Sequence, residues 1–252
     1  MKSVRVIARL DIKNEYVVKG IQLEGLRKIG NPNEMAKRYY EGGIDEIILM
    51  DVVASYYDRN SMKQILTQAC KDVFVPIAVG GGVRSIEGVQ EILDCGADKV
   101  AINTQAVKTP ELIRQASAIF GSQCIIASID AKKMGENNWV VYTDNGREQT
   151  NMCAIEWAKT VEGLGAGEIL LTSIDSDGTK KGFDCKLVEQ IVQAVNIPVI
   201  ASGGAGTLEH IASVLQIQEL DAISLGSALH YGAMDIATIK QHIQRCGMST
   251  RL

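Results

Sequence analysis

Residues 75–84 read VPIAVGGGVR and residues 197–206 read IPVIASGGAG. Each phrase is an apolar, proline-led run with the look of a buried strand, ended by glycines. Glycines where a strand turns into a helix let backbone amides approach an anion closely, at a helix end whose dipole favours negative charge. The two phrases lie 122 residues apart, and the same spacing relates Glu46-Ile47-Ile48-Leu49 to Glu168-Ile169-Leu170-Leu171. Asn103-Thr104 corresponds to Gly226-Ser227 at a spacing of 123, and Asp11 to Asp130 at 119. Each aspartate ends a strand and is followed by a loop containing two valines, Val17-Val18 and Val140-Val141. Two half-length units fused head to tail explain all of these pairs.

Outward from the glycine phrases, apolar β-branched runs alternate with amphipathic ones. The runs predict strands over 4–10, 46–50, 75–79, 99–102, 124–129, 168–172, 198–201 and 222–225. Helices are predicted over 32–41, 62–71, 86–93, 110–120, 153–164, 187–194, 208–215 and 236–245, with start signals at Asn31-Pro32, Ser85 and Thr109-Pro110. Alternation implies parallel pairing through crossovers. Eight units in 252 residues make a closed (β/α)8 TIM barrel of two half-barrels, about 1–122 and 123–252. An open doubly wound sheet is the alternative, and the absence of spare elements favours closure.

Composition narrows the function. A net charge of −4 without a basic block excludes a nucleic-acid surface. The chain opens on SVRVIARLD with no apolar leader and no run of about 18 apolar residues, so a cytoplasmic protein that contacts no membrane is expected. Six scattered cysteines without Cys-x-x-Cys spacing read as free thiols, and His210, His230 and His242 form no metal-ligand pattern.

The glycines and their polar neighbours form two candidate phosphate cradles. One holds Gly81, Gly82, Asn103 and Thr104; the other holds Ser202, Gly203, Gly204, Gly226 and Ser227. Twin cradles across one mouth suit a ligand with phosphate at both ends; the plainer reading is two tight turns. Asp11 and Asp130 end strands that face each other in an eight-stranded barrel, with interior parity at the end where this fold keeps catalytic groups. One as acid and one as base would serve a ring closure or isomerisation. The plainer reading has them capping loops or holding a lysine such as Lys19. At the other end the same parity turns Arg5, Glu46, Lys99 and Glu168 inward. Buried charges must pair, so these four form a neutral ring, either a salt-bridged plug or a gate for something small.

The phrases LDIKNEYVVKG, NPNEMAKRYYEGGIDEIILMD, VGGGVRS, GADKVAINT, FGSQCIIASIDAK, GAGEILLTSIDSDGTKKG and IPVIASGGAG resemble the cyclase subunit of imidazole glycerol phosphate synthase, essentially end to end. The resemblance implies a lyase in histidine biosynthesis that needs no cofactor or metal. It further implies a glutaminase subunit docked at the barrel floor as a heterodimer partner, with ammonia passing up the axis. At the mouth, ammonia would convert a bis-phosphorylated formimino-aminoimidazole carboxamide ribonucleotide into imidazole glycerol phosphate and an aminoimidazole carboxamide ribonucleotide. Carried over residue by residue, it makes Asp11 and Asp130 the acid/base pair, and Arg5, Glu46, Lys99 and Glu168 the ammonia gate. It also lines the active site with Lys19, Asp51, Thr172, Asp175 and Asp177, beside Gly178 of the Asp-Gly-Thr phrase.

Three features depart from the family pattern. Arg9 stands where a small residue, commonly cysteine, is usual, and interior parity puts it within reach of Asp11, whose pKa it would lower. The loops GIQLEGLRKIGNP and ASYYDRNSM also differ. They resemble a paralogous branch whose barrel feeds ammonia to a sugar-amidating enzyme of surface-polysaccharide synthesis. A non-catalytic activator of a glutaminase is a further alternative.

Overall fold

The computed structural model describes residues 3–53 and 60–251. The loop ASYYDRNSM lies largely outside them. In chain order the strands are β1 (Arg5–Lys13), β2 (Tyr16–Ile21), β3 (Glu24–Gly30), β4 (Glu46–Asp51), β5 (Ile77–Gly80), β6 (Lys99–Ile102), β7 (Ile125–Gly135), β8 (Asn138–Thr143), β9 (Glu148–Cys153), β10 (Glu168–Ser173), β11 (Val199–Ser202) and β12 (Ala222–Leu225). The helices are α1 (Pro32–Glu41), α2 (Asn60–Asp72), α3 (Ile86–Asp94), α4 (Thr104–Lys108), α5 (Glu111–Phe120), α6 (Ala154–Gly163), α7 (Cys185–Ala194), α8 (Leu208–Val214), α9 (Ser227–His230) and α10 (Ile236–Arg245). Among the described residues no helix is long and apolar enough to cross a membrane.

The eight predicted strands pair in parallel in the order β1-β4-β5-β6-β7-β10-β11-β12, and β12 returns to β1. The sheet is a closed barrel, and the open-sheet alternative falls. Every barrel strand contributes one residue to an apolar layer on the axis: Ile7, Ile48, Ala78, Ala101, Ile126, Leu170, Ile200 and Ala222. Outward-facing residues of the same strands pack under the helices in a separate, larger core. Period-two alternation separates the two.

Local chemistry explains most boundaries. Asn31 accepts from the backbone N–H groups of Asn33 and Glu34 at the start of α1, with Pro32 in the first turn. Ser85 accepts from Gly88 N–H to start α3. Thr109-Pro110 does not act as expected: Pro110 precedes α5 without a side-chain cap, and Thr109 instead ends α4. The strand predicted from Val75 begins at Ile77, because Pro76 has no N–H to donate. The Pro76 carbonyl still accepts from Ile47 N–H, and the Pro198 carbonyl accepts from Ile169 N–H in the same way.

The two valine-bearing segments expected as loops are antiparallel ribbons. β1 runs on past Asp11 to pair with β2, and β2 with β3; β7 runs on past Asp130 to pair with β8, and β8 with β9. One ribbon does carry a local signal: Asp144-Asn145-Gly146 between β8 and β9 are three consecutive residues at positive φ, which is hairpin-turn chemistry.

Candidate active site

Asp11 and Asp130 lie at the mouth among the same charged neighbours. Asp11 is buried and both its oxygens are taken. Oδ1 accepts from Arg9 Nε at 2.7 Å and Oδ2 from Lys19 Nζ at 3.0 Å. Lys19, carried by β2, also donates to both oxygens of Asp177, at 3.0 and 2.9 Å. The pairing of Asp11 with Lys19 and with Arg9 is therefore real. Asp130 is held on one side only: Oδ2 accepts from Asn103 Nδ2 at 2.8 Å, and buried Oδ1 makes no hydrogen bond.

These surroundings drive the two carboxyls apart. Burial would raise Asp11, but the Arg9 guanidinium and Lys19 ammonium overcome it and hold the carboxyl well below the usual carboxylate range. Burial pushes Asp130 up to about 6; Arg9 pulls it down, while the charges of Asp177 and Asp11 add to the rise. Lys19 is buried too, yet Asp11 and Asp177 raise its pKa, so it stays charged. An ionised carboxylate therefore sits near a carboxyl that titrates near neutral pH. Environments that separate two titratable groups in this way assign the acid and the base.

Two cavities open at this mouth. The larger, about 300 Å³, is lined by Asp51, Gly81, Gly82, Asn103, Thr104 and Asp130, with Arg84 and Lys108 adding positive charge. The smaller, about 20 Å³, is lined by Lys19, Asp177, Gly178, Ser202, Gly203, Gly204, Gly226 and Ser227. Both predicted cradles are thus brought to one end of the barrel. Their backbones match: Gly81 and Gly203 have φ 99° and 96°. Asn103 and Gly226 have φ/ψ of −115°/−86° and −117°/−84°, and each starts a short helix, α4 or α9, that the apolar pattern did not predict. A side chain at Gly81 would put a Cβ 2.1 Å from the Asp51 carbonyl, and at Gly204 1.9 Å from the Gly182 carbonyl.

Other expected residues fall into place unevenly. Buried Thr172 accepts from Arg9 Nη1 at 2.9 Å. Asp51 accepts from Val53 N–H at the rim of the larger cavity. Asp175 lines neither cavity; it accepts from Lys133 N–H at 2.8 Å and ties β7 to the Ser173–Gly178 turn. His230 belongs to no sequence pattern, yet it lies against Gly226 of the smaller cavity. Its Nδ1 lies 2.7 Å from the Tyr39 hydroxyl and its ring stacks on Tyr39. Burial lowers its pKa to about 4, so it is neutral beside the smaller cavity. Sequence separations of this size leave no local signal.

At the opposite end the four predicted charges form a ring. Glu46 accepts from Arg5 at 2.6 Å and from Lys99 at 3.0 Å. Glu168 accepts from Lys99 at 2.8 Å and from Arg5. Cation and anion alternate around the axis, beneath the apolar layer.

A family model described as "Histidine biosynthesis protein" matches residues 5–235. The chain belongs to that family. Among curated members it is 56% identical over 209 residues to "Imidazole glycerol phosphate synthase subunit HisF" of Legionella pneumophila, covering 83% of this chain and 99% of that one. It is 45% identical to the protein of the same name from Bacillus cereus (strain G9842), over all of both chains. For the namesake from Thermococcus onnurineus (strain NA1) the identity is 47%, over all of this chain and 99% of that one. Family membership accords with the barrel, and the Bacillus cereus and Thermococcus onnurineus relatives span its whole length.

Proposed function

We propose that the chain is the cyclase subunit of an imidazole glycerol phosphate synthase, built from two half-barrels of about 1–122 and 123–252. Ammonia from a glutaminase subunit would convert the bis-phosphorylated formimino ribonucleotide at this mouth. The observation that carries the reading is the opposed pair, Asp11 held ionised and Asp130 titrating near pH 6, between twin glycine cradles. The cradles would hold the two phosphates through backbone amides, helped by Arg84 and Lys108 on one side and Lys19 on the other. Asp130 is the acid: at neutral pH it can give a proton to a leaving hydroxyl and recover one in the next step. Asp11 is the base-side partner. Its charge favours the cationic stages of ring closure, and it takes a proton when Lys19 yields an oxygen.

The floor supports the same reading. Arg5 is about a third exposed (31%), so the ring can be reached from outside, while its glutamates are buried. A glutaminase docked there would deliver ammonia through the ring. Above it, the Ile/Leu/Ala layer would reject an ammonium ion and pass the neutral molecule. We place the complex in the cytoplasm, where unbridged cysteines are the rule. The aminosugar and activator alternatives draw no support from relatives that are all named as synthase subunits.

The test is direct. Purified chain with a large excess of an ammonium salt at neutral pH should turn the bis-phosphorylated ribonucleotide into imidazole glycerol phosphate, and Asp11→Asn and Asp130→Asn should each lose at least a hundredfold in kcat. Absence of turnover above the Asp11→Asn background would end the proposal.

A further inference from the structure

Arg9 is, among the described residues, the one side chain that lines both cavities. It rises from β1 into the centre of the mouth and is almost fully buried, at 4% exposure. Two of its nitrogens are moored to opposite walls: Nε to Asp11 on its own strand and Nη1 to Thr172 on β10, across the barrel. Nη2 makes no hydrogen bond to a described residue. A guanidinium held at two points presents its remaining N–H groups in a fixed plane, with little rotamer entropy left to lose on meeting an acceptor.

Position and donor count together define a role. A ligand with phosphate in both cradles must cross the ground between the cavities, and that ground is Arg9. We propose that Arg9 is a ligand-contacting residue, whose Nη2 donates to a hydrogen-bond acceptor in the middle of a bis-phosphorylated ligand spanning the two cavities. The inference rests on the proposed substrate class and adds a third anchor to the two cradles. It also assigns selectivity. The ligand must carry a carbonyl, carboxamide or comparable oxygen at its centre, and a ligand with apolar atoms there would leave the buried guanidinium short of a partner.

Binding, measured without turnover, tests this. Isothermal titration uses the bis-phosphorylated formimino ribonucleotide in ammonia-free buffer, with inorganic phosphate as the second probe. Arg9→Met keeps an unbranched apolar stem and loses the guanidinium with all its donors; Arg9→Lys keeps the charge and loses the fork. The wild-type chain should bind the ribonucleotide, Arg9→Met about 10- to 100-fold more weakly, as loss of a charged hydrogen bond implies, and Arg9→Lys in between. Binding of inorganic phosphate should weaken far less, because the glycine amides that cradle it are untouched while only the charge of Arg9, which lines both cavities, is lost. Unchanged ribonucleotide affinity in Arg9→Met overturns the inference and leaves the proposed function standing. An equal loss for both probes also overturns it, since Arg9 would then only hold the mouth in shape. Absence of ribonucleotide binding by the wild-type chain overturns the inference together with the function it rests on.

Discussion

Asp11 and Asp130 share one mouth, yet folding does opposite things to their protons. Asp130 binds its proton more tightly folded than unfolded, with the pKa raised from 3.8 to about 6. Ionising it therefore costs stability, in full above pH about 6, and the cost fades as pH falls toward the unfolded value. Asp11 has the reverse sign. Its depressed pKa contributes stability above the unfolded value, which is lost as acid titrates it. Asp130→Asn keeps an acceptor for Asn103 Nδ2 and removes the buried charge. It should raise stability at pH 8 by on the order of 2 kcal/mol, with the gain vanishing by about pH 4, while abolishing turnover. Urea unfolding at the two pH values checks this, and a variant less stable than wild type at pH 8 would contradict it. The alkaline limb of kcat/KM should fall near pH 6, as the acid loses its proton, and in Arg9→Met it should move upward, because Arg9 is the cation that pulls Asp130 down.

Between single residues and the barrel stand the ribbons and turns that carry the site. Lys19 reaches Asp11 because β2 folds back along the extension of β1. The ribbon is then fastened to the Ser173–Gly178 turn: Gln22 N–H donates to the Asp177 carbonyl at 2.7 Å, and Gln22 Nε2 to the Asp175 carbonyl at 3.1 Å. Gly178 makes this contact possible. Its φ is +72°, and a Cβ there would lie 2.3 Å from the Gly20 carbonyl. Gly178→Ala should unseat Lys19 and lower kcat/KM more than tenfold while leaving the barrel folded; unaltered kinetics would show the ribbon contact to be idle. A second recurring device ties strand to strand. Asp45, Asp98 and Asp221 each stand just before a barrel strand and accept the N–H of Val6, Ile77 or Val199 on the strand before it, at 2.7, 2.8 and 3.2 Å. In the corresponding place before β10, Gly167 lies so close to Ser122 that a Cβ would come within 2.1 Å of its carbonyl.

Across the whole barrel, charge is arranged in two tiers with an apolar layer between them. The lower tier is the alternating ring, in which each glutamate holds both cations. Breaking such a ring by removing one partner is costly, because the buried anions remain. Lys99→Met should destabilise the chain by about 3 kcal/mol, and Glu168→Gln added to it should return part of that loss. Additive losses in the double-mutant cycle would mean that the ring is not a coupled unit.

The eight strands, the inward ring and the twin glycine turns were legible in the chain because their signals are local: period-two alternation, glycine after an apolar run, and the same phrase repeated half a chain later. The ribbons were less so. Asp144-Asn145-Gly146 announces one turn, but Val17-Val18 carries no sign of which strand it will join. What folding alone settled lies between residues far apart in sequence: Arg9 with Thr172, 163 positions away, and Lys19 with Asp177, 158 away. These contacts divide the mouth in two and separate the acidities of Asp11 and Asp130. Burial and neighbouring charge act through distances in space, and no stretch of sequence records which distant strand will supply the neighbour.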